Sequence, residues 1–152
     1  MRILMVCLGN ICRSPLAEGI LKKKINEKNL PWEVDSAGTG SWHIGELPDP
    51  RSVQVARRYG IDITDQRARQ LVSSDVHDFD YIFAMDDTNF RDIKRVWQTA
   101  GGSAKVEMIL DRLRPGKGAS VPDPYWDDNG FEDVFRLLDQ ATDEIIRQLS
   151  AD

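Results

Sequence analysis

Residues 3–14 constrain this chain more than any other segment. An apolar run at 3–6 leads directly into Cys7-Leu8-Gly9-Asn10-Ile11-Cys12-Arg13-Ser14, and Pro15 then opens a helical pattern. A short, wholly apolar run that stops at Gly9-Asn10 reads as a strand buried on both faces. Ser14-Pro15 reads as an N-cap with proline at the first helical position. Leu16, Ala17, Ile20, Leu21 and Ile25 follow at helical spacing.

The same alternation continues along the chain. Strand patterns recur at 32–35, closed by Ser36-Ala37-Gly38, and at 81–84 and 106–110. Helical patterns open at Asp49-Pro50 and stop at Gly60, recur near 88–97, and return behind Asp127-Asp128-Asn129. In that last helix Phe131, Val134, Phe135, Leu138, Ile145 and Leu149 make one apolar stripe. Strands alternating with helices predict an α/β fold. The expected architecture is a single domain over 1–152, a four-stranded parallel sheet with helices on both faces, and a phosphate-binding loop after the first strand. Residues 111–127 hold three prolines and two glycines. A loop of that length in a compact domain is commonly functional or disordered.

Composition narrows the function classes. The 152 residues carry a formal charge of −5, so the basic footprint of a nucleic-acid binder is missing. An acidic chain that handles an anionic substrate must concentrate positive potential locally. Cys7 and Cys12 are the two cysteines, too few for a disulfide framework. They point to a reducing, cytoplasmic compartment. No second Cys or His pair sits at ligand spacing, so neither a metal nor another cofactor is expected. The run at 3–8 is too short for a signal h-region, and nothing approaches a membrane span.

Taken alone, a cysteine is more often a packing residue than a nucleophile. The setting of Cys7 is different. Beyond the carboxyl end of a parallel strand lies the place where α/β sheets bind ligands. A loop that wraps into a helix N-terminus turns backbone N–H groups toward an anion. Gly9 and Asn10 tolerate the left-handed backbone such a wrap needs, and Arg13 can clamp two phosphate oxygens. Attack by sulfur requires the thiolate, and a helix dipole alone supplies at most about 2 kcal/mol. Inward N–H groups, Arg13 and the Ser14 hydroxyl must supply the rest. A nucleotide-binding Walker loop is excluded, because no Gly-Lys-Ser/Thr follows Gly9 and the Pro115-Gly116-Lys117-Gly118 stretch lacks a preceding strand.

The segment from Cys7 to Glu18, C-L-G-N-I-C-R-S-P-L-A-E, resembles the active-site loop of the low-molecular-weight protein tyrosine phosphatases. The resemblance extends through Asp35-Ser36-Ala37-Gly38, Pro48-Asp49-Pro50, Ala68-Arg69-Gln70, Phe79-Asp80-Tyr81, Met85-Asp86 and Asp123-Pro124-Tyr125. It implies hydrolysis of phosphotyrosine through a phosphocysteine on Cys7, with the phosphate held by Arg13 and the loop Leu8, Gly9, Asn10, Ile11, Cys12 and Ser14. A phenolate leaves poorly near neutral pH, so a general acid is required. Two Pro-Asp-Pro triplets compete, and Asp49 already has a helix to cap. The resemblance assigns the acid to Asp123. It also implies aromatic walls at Trp42 and Tyr125, which can sandwich a ring, with Trp126 beside them where a second tyrosine is common.

Asn10, Ser14 and Ser36 are expected to form a hydrogen-bond set behind the loop. The family often has a histidine ahead of Ala-Arg-Gln, where this chain has Asp65, Gln66 and Arg67, and Gln66 is a candidate to brace the loop. His43 and His77 read as surface or packing residues. Cys12 lies near enough in sequence to act as a redox partner of Cys7. The expected partner is a phosphotyrosine-containing protein, met by a monomer with at most weak dimerisation. Three rival readings are an arsenate reductase, which needs further cysteines downstream, a protein-arginine phosphatase, which usually has a small polar residue in place of Ile11, and a non-catalytic phosphopeptide-binding module.

Overall fold

The computed structural model describes residues 1–150. Strands β1 (Arg2–Cys7), β2 (Glu33–Gly38), β3 (Tyr81–Ala84) and β4 (Lys105–Met108) form one parallel sheet in the order β2-β1-β3-β4. Five α-helices connect and follow them: α1 (Arg13–Glu27), α2 (Pro50–Arg58), α3 (Asp75–Asp78), α4 (Asp87–Ala100) and α5 (Gly130–Leu149). Side chains alternate along β1, and that alternation divides the interior into two layers. Ile3, Met5 and Cys7 face the layer built from α1, α2 and α5, while Leu4 and Val6 face α3 and α4. Residues 3–7 are therefore almost wholly buried, which is why the run lacks polar alternation. Among the described residues no helix is long and apolar enough to cross a membrane.

Strand β1 pairs with β2 on one side and β3 on the other. The chain leaves β1 in one direction and later returns to its opposite edge. The crevice beyond the carboxyl end of β1 is thus a topological switch point, where open α/β sheets bind ligands. Residues 8–12 occupy it.

Several boundaries differ from the sequence reading, each for a local reason. β2 extends through Ser36-Ala37-Gly38, because these residues pair in register with Met5, Val6 and Cys7. Gly38 is required there: a Cβ would lie 2.7 Å from the Leu8 carbonyl oxygen. β4 ends at Met108, and Ile109–Arg112 turns as a 3₁₀ helix. Cys12, not Ser14, is the N-cap of α1; the Ser14 hydroxyl is engaged elsewhere, as described below. The left-handed residue of the loop is Asn10, at φ +58°, and Gly9 is not left-handed. Within residues 111–127 the chain is anchored at Val121, which is buried and donates its N–H to the Met85 carbonyl at 2.8 Å. It then forms a 3₁₀ turn over Pro124–Trp126.

Candidate active site

The loop after β1 is held by its carbonyls. Cys7 O accepts from Thr39 N at 2.9 Å, Leu8 O from Gly40 N at 2.9 Å, and Ile11 O from Asp49 N at 2.8 Å. The Cys12 carbonyl accepts from the Ser52 hydroxyl at 3.3 Å. The N–H groups of residues 8–12 make no hydrogen bond to another described residue. Buried backbone donors are almost always paired, so a run of unpaired N–H groups wrapped into a helix start is a ready anion nest.

Behind the nest lies a buried polar chain. Arg69 N donates to Asn10 Oδ1 at 3.0 Å, which fixes the orientation of the Asn10 amide. Asn10 Nδ2 then donates to Ser14 Oγ at 2.8 Å and to Ser36 Oγ at 3.0 Å. Ser14 Oγ also lies 3.0 Å from the Cys7 sulfur, and with an amide donor already on that oxygen its own proton is free to serve a thiolate there. The Ser36 hydroxyl donates to Glu18 Oε1 at 2.6 Å. Burial pushes the Glu18 carboxyl up to about 7, against the Ser36 hydroxyl that favours its charge. Asn10, Ser14 and Ser36 are therefore braces: their side chains lie behind the loop and do not line the pocket.

Arg13 is the cation of the site and is nearly inaccessible to solvent. Its Nη1 donates to Asp86 Oδ2 at 2.8 Å and to the Val121 carbonyl at 3.0 Å. Among the described residues its Nε and Nη2 make no hydrogen bond; Asp123 Oδ2 stands 3.9 Å from Nη2. One edge of the guanidinium is fixed by the protein and the other is available to an oxyanion.

A cavity of about 280 Å³ opens above this floor, lined by Cys7, Leu8, Gly9, Ile11, Cys12, Arg13, Trp42, His43, Asp123, Tyr125 and Trp126. Trp42 is 72% exposed and Trp126 89% exposed. The Tyr125 and Trp126 rings meet edge to face with centroids 4.8 Å apart. Asp123 caps its own turn through the Tyr125 N–H at 3.1 Å. Burial, with Asp49, Cys7 and Asp123 adding to it, pushes the Cys12 thiol far up, so it stays protonated. Among the described residues no group of three His, Cys, Asp or Glu side chains is arranged to hold a metal ion.

The two Pro-Asp-Pro triplets separate here. Asp49 lies outside this cavity, caps α2 through Arg51 N at 2.9 Å, and is bound by the Arg51 guanidinium at 3.0 and 2.9 Å. Burial opposes its charge, but the bonds from Arg51 outweigh it and hold the carboxyl below its ordinary range. Gln66 binds the first turn of the helix that follows the loop: its Nε2 donates to the Pro15 carbonyl at 3.1 Å, and its buried Oε1 has no partner among the described residues.

Sequence reasoning missed four contributors. Asp86 and Arg69 appear there only as points of resemblance, and His43 as a surface or packing group although its ring lines the cavity. Gly40 lies under the exposed Trp42 ring, and a Cβ there would fall 2.1 Å from its Cζ3 unless the ring moved. Asp86 had a readable signal: it follows β3, the neighbour of β1, at the carboxyl end of the sheet where ligand-binding groups collect.

A family model described as low molecular weight phosphotyrosine protein phosphatase matches residues 2–152. The low molecular weight phosphotyrosine protein phosphatase of Schizosaccharomyces pombe is 40% identical over 153 residues, covering 98% of this chain and 97% of its own. Among solved structures, YfkJ from Bacillus subtilis superposes with a TM-score of 0.91 at 37% identity, covering 99% of this chain and 94% of that one. A Drosophila arginine phosphatase superposes with a TM-score of 0.94 at 31% identity, covering 100% and 99%.

Proposed function

The chain belongs to the low molecular weight phosphotyrosine protein phosphatase family, whose members are cysteine-dependent phosphatases, and from that premise we propose that it hydrolyses phosphotyrosine esters of proteins through a phosphocysteine on Cys7. The observation that carries the reading is the set of unpaired N–H groups at 8–12 on a loop that lines one cavity together with Cys7 and Arg13, whose guanidinium keeps one edge unbonded.

In the first step the Cys7 thiolate attacks phosphorus and the bond to the tyrosine oxygen breaks. Asp123 gives its proton to the departing phenolate. The nest and Arg13 hold the equatorial oxygens as charge moves onto them. In the second step Asp123, now a carboxylate, takes a proton from water. That water attacks phosphorus, releasing inorganic phosphate and restoring the thiolate. The Ser14 hydroxyl stabilises sulfur as it departs. Trp42 and Tyr125 suit a flat phenyl ring between them, and Ile11 keeps the loop side of the pocket apolar.

Cys12 gives the same site a protective route. Peroxide converts the Cys7 thiolate to a sulfenic acid, which removes one of the charges that hold Cys12 protonated. The Cys12 sulfur then attacks Cys7, giving up its proton to the departing hydroxide as water leaves, and the disulfide so formed is reduced by an added thiol. A second reading, cleavage of phosphoarginine, is favoured by the likeness to the Drosophila arginine phosphatase. Peptides carrying phosphotyrosine or phosphoarginine, assayed in parallel, separate the two.

The test of the mechanism is acid quenching during turnover of an aryl phosphate, followed by peptide mass mapping. Phosphate is expected on Cys7, with near-complete loss of turnover in Cys7→Ser. Phosphate on another residue, or full activity in Cys7→Ser, would overturn the assignment.

A further inference from the structure

The catalytic cavity does not close at its Tyr125 side. Ile11, His43 and Tyr125 also line a second, open cleft of about 620 Å³ that runs along α2. Pro50, Val53, Gln54 and Arg57 line it, and their spacing places them on one face of the helix. The opposite bank includes Leu47, which is 52% exposed.

The charges in the cleft are unevenly matched. His43 shares a hydrogen bond with the Glu46 carboxylate, and Asp49 is held by Arg51 at 2.9 Å. Arg57 is exposed and forms no ion pair with a described residue. The carboxylate that feels its field, Asp62, is engaged by Thr64 through N–H at 2.8 Å and hydroxyl at 2.6 Å. An apolar track thus starts at the loop after β1 and ends at an exposed guanidinium that makes no ion pair with a described residue, with Asp62 nearby but bonded to Thr64. Asp49 N is bonded to the Ile11 carbonyl, so the helix start is fixed to the loop. Eight residues of helix separate Asp49 from Arg57, about 12 Å at 1.5 Å per residue. An extended peptide covers that distance in about three to four residues.

We propose that this cleft seats the polypeptide flanking the phosphotyrosine, and that Arg57 selects substrates with an Asp or Glu three or four residues from it. The assignment rests on the phosphotyrosine reading and adds the sequence context of the substrate. Continuity with the catalytic cavity supplies the register, and the exposed guanidinium, which forms no ion pair with a described residue, supplies the charge preference.

The test is a set of phosphotyrosine peptides, neutral apart from one Glu moved through each position on both sides of the phosphotyrosine. The readout is kcat/KM on each peptide divided by kcat/KM on p-nitrophenyl phosphate, which is too small to reach Arg57. The parent is expected to favour Glu at one site, three or four residues out, by roughly two- to five-fold, the range of an exposed ion pair. That preference should vanish in Arg57→Gln, reverse in Arg57→Glu, and fade in high salt. Equal ratios at every Glu position, or a preference that survives Arg57→Gln, would overturn the docking assignment. Hydrolysis of p-nitrophenyl phosphate without hydrolysis of any phosphotyrosine peptide would instead overturn the underlying substrate reading.

Discussion

Asp49 and Asp123 sit in the same tripeptide, Pro-Asp-Pro, and both accept a hydrogen bond from the backbone two residues on. Their surroundings make them different groups. Asp49 heads a helix of nine residues and is gripped by a guanidinium that holds its charge. Asp123 heads a turn of three residues, has a side chain 43% exposed, and faces Arg13 across the catalytic cavity. A proton donor must be able to hold a proton and meet the leaving oxygen, and Asp49 is placed for neither. Local sequence sets the cap; the element across the pocket sets the chemistry.

Matched substitutions sharpen that contrast most. Asp123→Ala is expected to lower kcat on phenyl phosphate by about 100-fold or more, the usual reach of general acid catalysis. The loss should shrink as the leaving phenol is made more acidic, since a better leaving group needs less protonation. Asp49→Ala should lower kcat by less than about tenfold, and its main cost should be about 1–2 kcal/mol of stability from the lost cap, read by chemical denaturation. Equal kinetic losses at the two positions, independent of the phenol, would move the acid role off Asp123.

The same contrast explains what was legible in the sequence. The catalytic loop is contiguous, so Cys7, Arg13 and Ser14 could be read together with the strand before them and the helix after. The sheet was legible because β1 and β3 are apolar runs, and because Met108-Ile109-Leu110 marked the end of β4, although Ile109 and Leu110 belong to the 3₁₀ turn that follows it. The second half of β2 was not: Ser36-Ala37-Gly38 has no apolar signature, and pairing with Met5–Cys7 alone makes it a strand. Asp86 and Arg69 stand 73 and 59 residues from their partners Arg13 and Asn10. No local pattern reports a contact of that span. Asp86 also caps α4 through Asn89 N at 2.8 Å, so its sequence context advertises only the lesser of its two contacts. The choice of Asp123 over Asp49, and of Trp42 and Tyr125 as walls, was settled by family resemblance, not by the residues themselves.

A third carboxylate extends the comparison. Glu18 is buried like Asp49, but a hydroxyl from Ser36 is its hydrogen-bond partner, where Asp49 has a guanidinium. Burial, which the neutral Ser36 hydroxyl only partly offsets, raises its carboxyl to about 7, whereas the bonds from Arg51 lower that of Asp49. A raised carboxyl retains its proton in the folded chain after the unfolded chain has released it. Its contribution is therefore complete below the unfolded value near 4.5 and is lost as pH rises through about 7. The full loss is on the order of 3 kcal/mol. Glu18→Gln should remove that decline, seen as a flatter unfolding midpoint between those limits. Asp49 acts in the opposite sense: its contribution is lost as pH falls through its depressed value. A Glu18→Gln profile that declines as steeply as the parent's would show that Glu18 is ionised in the fold.

The smallest expected effect concerns the bank opposite Asp123. Trp42 is exposed, yet its ring lies against Gly40, where an added Cβ would come within 2.1 Å of Cζ3 and 2.5 Å of Cε3. The glycine backbone is itself held, because Gly40 N donates to the Leu8 carbonyl. The ring must therefore swing when Gly40→Ala is made, while the loop and Asp123 keep their supports. If Trp42 acts as a wall for the substrate ring and takes no part in proton transfer, KM for aryl phosphates should rise about two- to five-fold, the scale of one aromatic contact. The value of kcat and its dependence on the leaving phenol should hold. Vanadate or inorganic phosphate, which lacks a ring, should inhibit the variant and the parent equally. A fall in kcat with weaker phosphate inhibition would mean that Gly40 positions the loop through Leu8, and that the two banks of the pocket are not independent.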